Sequence, residues 1–577
     1  MKAVTFEREG DLRGEAAHTV RSRSRKALFG KTAQKKNPRL QEKPMKNFKL
    51  FHYFGIVALV AIAALAHAQT YSELYNFDCV KNGCNPNQPA LFAQGQDGNL
   101  YGTMPTQVFG HGTVVTYALS GTLSTLFNFG PTNYGPQSGL SLGFDGNLYG
   151  ASETGGTAGA GTVFKVAGGV VTTLYTFTNG TDGGFPWAPP IQAPDGNIYG
   201  VTYNGTTPGI AYKITPAGVF SVIANLPSKT VAPLILGTDG KLYGTTQYGG
   251  TFNRGTVFQL TTTGKLKIIY NFDALTNGGI PIGPLLQAID GKFYGTTTDG
   301  GTFSQGVVYS VTSGGTYKVL HNFQNTTDGT NSTAGLVQGS NKFLYGVMSG
   351  GGGNGFGTLY KMNTTGTTFT VLHNFDKTSG AVPFATPTLH TSGTIYGLTQ
   401  TGGPTNSANG VVYSFDDGLK PFASLVVIWS GKVGKSVGIL GQGFSTATGV
   451  KFGTGLASFT VVSDTFMTAT VAAGATTGNV TVLEPGGNLV TPQVFKVTPQ
   501  ASSFSPPSGP VGTQVVITGM SLTQATSVSF GGVKATSLTV NSDTQVTATV
   551  PTGGKTGKIT IVTKGGSAAA PGTFTVN

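Results

Sequence analysis

The sequence is poor in the charged residues on which most enzyme chemistry depends. Only 10% of its 577 residues are charged. Between residues 69 and 420 the only glutamates are Glu73 and Glu153, whereas a glycosidase needs two carboxylates facing one pocket, one of them desolvated. No spacing of acidic residues indicates such a pair, and no phosphate-binding loop or Ser-His-Asp set is evident. We therefore expect no catalytic residues and no cofactor.

Metal ligands are equally scarce. The chain has two cysteines, Cys79 and Cys84, and neither has a histidine close by in the sequence. The segment DGKFYGTTTDGG at residues 290–301 has acidic turn residues, but it lacks the ligand spacing of a calcium loop. We therefore predict no metal site.

The net charge of +13 does not indicate a nucleic-acid partner. Residues 1–68 hold 14 basic and 5 acidic side chains, a net charge of +9. The other 509 residues hold 22 basic and 18 acidic side chains, a net charge of only +4. Because the excess lies outside the patterned part of the chain, we exclude nucleic-acid binding.

Residues 45–68 have the pattern of a signal peptide. Lys46 and Lys49 precede an apolar run at 54–65, and Ala66-His67-Ala68 forms a cleavage site. We predict export to the cell surface or the extracellular space. One alternative is that the apolar segment is retained as a membrane anchor. We place the basic extension 1–44 upstream of the true translation start; the alternative is that it is translated and forms a disordered tail. In an oxidising compartment, Cys79 and Cys84 are expected to form a local disulfide.

Glycine is abundant, with 89 residues, and no long helical periodicity follows residue 70, so the composition predicts an all-β chain. The pair Tyr-Gly recurs seven times, at 101, 149, 199, 243, 294, 345 and 396. Two other landmarks keep step with it, a Gly-β-branched run such as GTVF and a closing LYNF-like run. A period of about 50 residues is typical of propeller blades.

Each repeat is predicted to hold four strands. An Asp-Gly pair, as in DGNLYG at 97–102 and 145–150, joins the first two strands in a hairpin, so the repeated Asp is a turn residue. The chain starts with an unpaired last strand, YSELYNF at 71–77, which is expected to complete the final repeat. We predict a seven-bladed β-propeller over residues 69–420.

The pattern DGNLYGTT…GGT…GTVF…LYNF resembles the GloVer tandem repeat of bacterial exported proteins. The resemblance covers about 350 residues, and it implies an architecture without an established enzyme activity. His321 and His373 occupy a slot that other repeats fill with Tyr75, Phe127, Tyr175 or Tyr270, so we interpret them as packing residues. His111 and His390 show no pattern of metal ligands.

The C-terminal part predicts two immunoglobulin-like β-sandwich domains, at residues 421–498 and 499–577. The run at 506–519, PPSGPVGTQVVITG, resembles IPT/TIG domains, and an earlier copy about 78 residues upstream matches it less closely. The earlier copy lacks the leading proline. The resemblance implies spacer or adhesive modules.

One face of the predicted ring is a candidate binding surface. In each blade the turns that join the first strand to the second and the third strand to the fourth are short and share one face of the ring. The long, variable loops that join the second strand to the third, and one blade to the next, share the other face. The variable face is expected to carry the aromatic candidates Tyr134, Phe185, Trp187, Tyr203 and Tyr248. Such rings beside Asn, Thr and Gly suit sugar stacking or a protein contact.

These observations favour an exported, non-catalytic binding or adhesion protein of the cell envelope, with a polysaccharide or a surface protein as its partner. The alternative is a secreted polysaccharide-active enzyme, a hydrolase or lyase, on the same scaffold. Carboxylates clustered in the central channel would favour the enzyme, and an apolar, hydroxyl-lined channel would favour binding.

Overall fold

The computed structural model describes residues 69–79, 81, 84, 86, 92–105, 111–130, 135–136, 138–204, 209–404, 409–426 and 429–577. Apart from one 3₁₀ turn at Phe444–Thr446, the regular structure of these residues consists of β-strands. The prediction of an all-β chain is therefore confirmed.

The first 28 strands form seven four-stranded antiparallel sheets in this part of the chain. In chain order they are β1 (Thr70–Asn76), β2 (Ala93–Gln94), β3 (Leu100–Met104), β4 (Thr113–Ala118), β5 (Thr122–Asn128), β6 (Leu140–Leu142), β7 (Leu148–Ser152), β8 (Thr162–Ala167), β9 (Val170–Thr176), β10 (Ile191–Gln192), β11 (Ile198–Val201), β12 (Ile210–Ile214), β13 (Phe220–Asn225), β14 (Ile235–Leu236), β15 (Leu242–Thr246), β16 (Thr256–Leu260), β17 (Leu266–Asn271), β18 (Leu286–Gln287), β19 (Phe293–Thr296), β20 (Val307–Val311), β21 (Tyr317–Asn322), β22 (Val337–Gln338), β23 (Leu344–Met348), β24 (Thr358–Met362), β25 (Phe369–Asn374), β26 (Thr388–Leu389), β27 (Ile395–Leu398) and β28 (Val411–Asp416).

Six of these sheets are meanders of consecutive strands, sheet 1 being β2–β5 and sheet 6 being β22–β25. Sheet 7 has the order β1-β28-β27-β26. The N-terminal strand thus pairs antiparallel with β28, and Tyr71 lies opposite Phe415. This is the pairing that the sequence predicts, and it removes an exposed sheet edge.

Successive sheets share hydrophobic cores, and the series closes on itself. Between sheets 1 and 2, for example, Val114 packs with Phe164. Between sheets 7 and 1, Val412 belongs to the same buried cluster as Met104 and Tyr117. Each sheet therefore buries both faces against neighbours, which explains why its middle strands are buried at most of their positions.

The repeated Asp-Gly pair forms the first hairpin turn of a sheet. Gly98 adopts a φ of 81°, which favours glycine. The Asp97 carboxylate accepts the Asn99 N–H at 3.1 Å and the Tyr101 hydroxyl at 2.8 Å. Burial, as the larger cause, and the hydrogen bond to Asp97 together raise the pKa of Tyr101 to about 12. The same Tyr–Asp bond recurs at Tyr149–Asp145, Tyr199–Asp195, Tyr243–Asp239 and Tyr294–Asp290.

The remaining strands form two further units. The first consists of β29 (Ser424–Leu425), β30 (Ser430–Gly431), β31 (Ser436–Leu440), β32 (Gly449–Phe452), β33 (Gly455–Ser463), β34 (Phe466–Thr470), β35 (Gly478–Leu483) and β36 (Leu489–Val497). The second consists of β37 (Gln500–Ser505), β38 (Ser508–Gly509), β39 (Gln514–Met520), β40 (Ala525–Phe530), β41 (Val533–Lys534), β42 (Leu538–Ser542), β43 (Gln545–Thr549), β44 (Ile559–Thr563), β45 (Gly566–Ala569) and β46 (Thr575–Val576).

The two units pair their strands in the same way. The β31–β34 and β32–β35 pairs of the first correspond to β39–β43 and β40–β44 of the second. Both units also contain one parallel pair, β30–β36 and β38–β46. The long strand β33 joins both sheets of the first unit, whereas β41 and β42 are separate in the second. We call these units the first and second sandwich.

Candidate functional site: the loop face of the ring

The first sandwich lies against the face of the ring that carries the Asp-Gly turns, here called the turn face. Ser463 and Thr465 donate hydroxyl hydrogen bonds to the Gln96 carbonyl at 2.5 and 2.7 Å. On another sheet, Lys496 Nζ donates to the Thr238 carbonyl at 3.3 Å. Phe144, beside a third turn, packs against the core of the sandwich. Much of the turn face is therefore already occupied.

The opposite face, here called the loop face, is built from loops that brace one another. The loop that enters a sheet pairs with the loop that joins its two middle strands, as at Gly184–Asn204 and Gly279–Asp299. Neighbouring sheets are also linked, since Arg254 forms a 3.2 Å ion pair with Asp299. This framework fixes the side chains that the loops present.

Three of the aromatic candidates lie close together on the loop face. Trp187 stacks on Tyr203 with ring centroids 5.3 Å apart and planes inclined by 22°. Lys229 places its Nζ 4.5 Å from the centroid of Tyr203. Phe185 accepts the Tyr203 N–H at its carbonyl and donates its own N–H to Ala160. We call Phe185, Trp187, Tyr203 and Lys229 the loop-face cluster.

Two carboxyl groups lie near this cluster, and their electrostatics differ. Burial raises the pKa of Glu153, and the indole N–H of Trp187 partly opposes that shift. For Asp182, burial alone would raise the pKa, but hydrogen bonds from Thr178, Tyr175 and Gly180 outweigh it and lower the pKa. Asp182 thus acts as a cap for its own loop, with the Thr178 N–H at 2.8 Å. Glu153 is therefore the carboxyl beside the aromatic rings whose pKa is raised by burial.

The other predicted site residues lie apart from the cluster or outside the described residues. Tyr248 lies one loop further along and has 38% of its surface exposed. It is tied to the cluster through its neighbour, because the Gln247 N–H donates to the Lys229 carbonyl at 2.9 Å. Tyr134 lies outside the described residues. Cys79 and Cys84 are joined by a disulfide at the start of the ring.

Sequence reasoning missed several residues of this face. Lys229 was not singled out, because nothing in its segment indicates that it meets an aromatic ring. Phe252 and Phe303 are exposed by 57% and 47%. Both follow a Gly-Gly-Thr triplet in the loop between middle strands, and this repeated GGTF was the available signal.

Two histidines of the ring stack on aromatic rings, and one of them, His321, also lies 2.9 Å from the Asp328 carboxylate. His321 stacks on Phe369 at 3.9 Å, and His373 stacks on Tyr71 at 3.8 Å, so both bridge the outer strands of adjacent sheets. Buried His390 contacts the Gly98 carbonyl at 3.0 Å, and burial lowers its pKa. Among the residues that the structure describes, no group of three or more His, Cys, Asp or Glu side chains is arranged to hold a metal ion.

A cavity of about 470 Å³ occupies the centre of the ring. Every sheet contributes to its wall through or beside its innermost strand, at Ala93, Leu140, Ile191, Ile235, Leu285, Val337 and Leu389. Phe422, Leu425 and Leu440, from the first sandwich and the segment leading into it, complete the wall at the turn face. Among the described lining residues none is ionisable, and the polar ones carry hydroxyl or amide groups.

The fold defines an all-β repeat protein in which braced loops share one face and a sandwich occupies the other. The chain belongs to the Gloeobacter/Verrucomicrobia repeat family, whose sequence model matches residues 61–234 and 229–455. Residues 499–576 match the IPT/TIG domain. Both resemblances seen in the sequence are thereby confirmed. No curated protein matches the chain.

Solved structures give only distant similarities. A surface glycan-binding protein from Prevotella bryantii is 18% identical over 26% of this chain and 38% of its own length, with a TM-score of 0.21. A fungal alcohol oxidase of the AA5 family is 13% identical over 89% of this chain and 100% of its own, with a TM-score of 0.40. A puromycin hydrolase is 12% identical over 64% of this chain and 62% of its own, with a TM-score of 0.41. Scores this low establish no shared function.

Proposed function

We propose that the chain is an exported, non-catalytic binding protein of the bacterial cell surface that recognises a polysaccharide through its loop face. In this proposal the seven sheets are blades of a seven-bladed propeller spanning residues 69–420. Residues 421–498 and 499–577 form two immunoglobulin-like domains that hold the propeller away from the surface. Residues 45–68 are the export signal. Within the described residues, no helix has the length and apolarity to cross a membrane.

The observation that carries the proposal is the stacked pair Trp187–Tyr203 on the face that the first sandwich leaves free. Both rings are half-buried, so they are held in place while part of each remains accessible. Rigid aromatic surface favours sugar stacking because little conformational entropy is lost on binding. The Lys229 ammonium and the Glu153 carboxyl supply polar groups at the edge of that platform.

The central cavity also supports binding rather than hydrolysis. Its described lining is apolar and hydroxyl-bearing, which is the arrangement expected for a binding protein rather than for the alternative, an enzyme. A glycosidase of the common kind requires a pair of carboxyl groups across one pocket. The raised pKa of Glu153 is the one observation that favours the alternative, a polysaccharide-active enzyme with Glu153 as its acid.

The test is a binding assay of the purified chain against plant, fungal and bacterial polysaccharides, with release of reducing and unsaturated ends measured in parallel. We expect saturable binding without products, and Trp187→Ala is expected to weaken it by about 5- to 150-fold, since stacking on an aromatic ring contributes about 1–3 kcal/mol. Trp429→Ala, the change at the second tryptophan, is the matched control and should leave affinity unchanged.

Three results would contradict the proposal. Product release that is abolished by Glu153→Gln would establish the enzyme instead. Equal effects of Trp187→Ala and Trp429→Ala would place the binding site elsewhere. Binding to no polysaccharide would remove the glycan as partner and leave a surface protein as the alternative.

A further inference from the structure

We propose that the central cavity is a binding site for one linear aliphatic chain, such as the alkyl part of a long-chain alcohol or a lipid. This site lies inside the ring and is independent of the loop-face cluster, so it does not depend on the function proposed above. Its volume of about 470 Å³ falls within the range of roughly 300–1,000 Å³ that is usual for ligand pockets.

The wall of the cavity favours an apolar ligand. Leu140, Ile191, Ile235, Val337 and Leu389 each contribute an aliphatic side chain to it. An alkyl chain that packs against these side chains removes apolar surface from water, and each buried CH₂ then strengthens binding.

Most of the polar side chains of the wall are hydrogen-bonded within the protein. Gln94 donates to Thr391 Oγ1 at 2.8 Å, and its carbonyl accepts the Thr391 N–H at 3.0 Å. Thr388 donates to the Phe92 carbonyl at 2.9 Å, and Thr386 accepts the Gly335 N–H at 2.8 Å. A sugar would have to compete with these bonds for partners, whereas an alkyl chain would not.

The shape of the cavity favours an elongated ligand that enters from the loop face. The innermost strands run from the loop face to the turn face, so Pro189, Pro233 and Pro284, which precede them, mark the loop-face end. Phe422 and Leu440 mark the other end, next to the first sandwich. A chain therefore lies along the axis of the ring, with any polar head towards the loop face.

The first test uses the fluorescence of N-phenyl-1-naphthylamine added to the purified chain, followed by displacement with n-hexanol, n-octanol, n-decanol and n-dodecanol. We expect saturable binding of one probe per chain. Alcohol affinity should rise about fourfold per added CH₂, the factor that corresponds to about 0.8 kcal/mol of burial, and should level off once the chain outgrows the cavity. Unsaturable fluorescence, or displacement that does not depend on alcohol length, would overturn the proposal.

The second test fills the cavity. Val337→Phe places an aromatic ring in the wall and is expected to weaken probe binding at least tenfold, with far-UV circular dichroism showing that the fold is kept. Val219→Phe makes the same change at a valine that is 62% exposed, and it should leave binding unchanged. Equal binding by both variants would overturn the proposal. If Val337→Phe does not fold, the length series on the unaltered chain decides by itself.

Discussion

Removing Lys361 should destabilise the ring strongly, because it would strand a buried carboxylate. The Lys361 ammonium lies 2.9 and 2.8 Å from the two oxygens of Asp417, and the Asp417 side chain is only 2% exposed. Tyr345 and Gln69 also donate to this carboxylate. The turn aspartate of the other hairpins is replaced in sheet 6 by Asn341, and the Asp417 carboxylate accepts the tyrosine hydrogen bond in its place.

Breaking a buried pair by removing one partner typically costs about 3–5 kcal/mol, because the remaining charge is left uncompensated. With an unfolding entropy of about 2.1 cal/mol/K per residue, a ring of roughly 350 residues should lose about 4–7 °C in Tm. We therefore expect Lys361→Met to lower the Tm of the ring by that amount in scanning calorimetry. Lys361→Met combined with Asp417→Asn should recover more than half of the loss, since the charge is then gone.

The matched control is Lys241→Met. Lys241 also pairs with a carboxylate, Asp239 at 3.2 Å, but the two side chains are 40% and 39% exposed. Exposed pairs contribute about 0–1 kcal/mol, so the control should lower the Tm by about 1 °C or less. A Tm for Lys361→Met equal to that of Lys241→Met would refute the reasoning, as would a double variant no more stable than Lys361→Met alone.

Two further predictions concern the loop of Asp182 and the contact of the ring with the first sandwich. Hydrogen bonds hold the folded pKa of Asp182 below its unfolded value, so the ionised side chain stabilises the fold above about pH 4, and this stabilisation is lost as pH falls through the folded pKa. Asp182→Asn should therefore lower the Tm at pH 7, and the difference in Tm from the unaltered chain should disappear below pH 4. A Tm difference that does not change with pH would exclude this role. Phe144→Asp should cost about 2 kcal/mol by placing a charge against the sandwich core, seen as separate calorimetric transitions for ring and sandwich, while Val170→Asp at a 65% exposed position should change neither transition.

Several features of the fold were predictable because they depend on local chemistry that the sequence repeats. The hairpin turn is an example: Asp97 and Gly98 are adjacent, and Tyr101, whose hydroxyl donates a hydrogen bond to Asp97, follows four residues after Asp97. The strand at 71–77 was also predictable as the partner of the last sheet, because a strand without its hairpin must find an edge. The packing role of His321 and His373 follows equally from their shared slot in the repeat.

The candidate site depended on contacts that no local pattern encodes. Trp187, Tyr203 and Lys229 come from three different loops, and only the closure of neighbouring sheets sets Lys229 over Tyr203. The sequence equally gave no sign that Lys361 would neutralise Asp417, which is 56 residues away. Such pairs form because packing removes both charged groups from water, and their interaction with each other then replaces the lost hydration.

By itself, the sequence determined the all-β class, the repeat and its turns, since each depends on residues within one hairpin. Only the tertiary structure decided which face of the ring is free, because that depends on where the first sandwich lies. Ser463 and Thr465 bind the Gln96 carbonyl across more than 360 positions of chain. The central cavity is likewise a property of the assembled sheets, since all seven contribute to its wall and none encloses it alone.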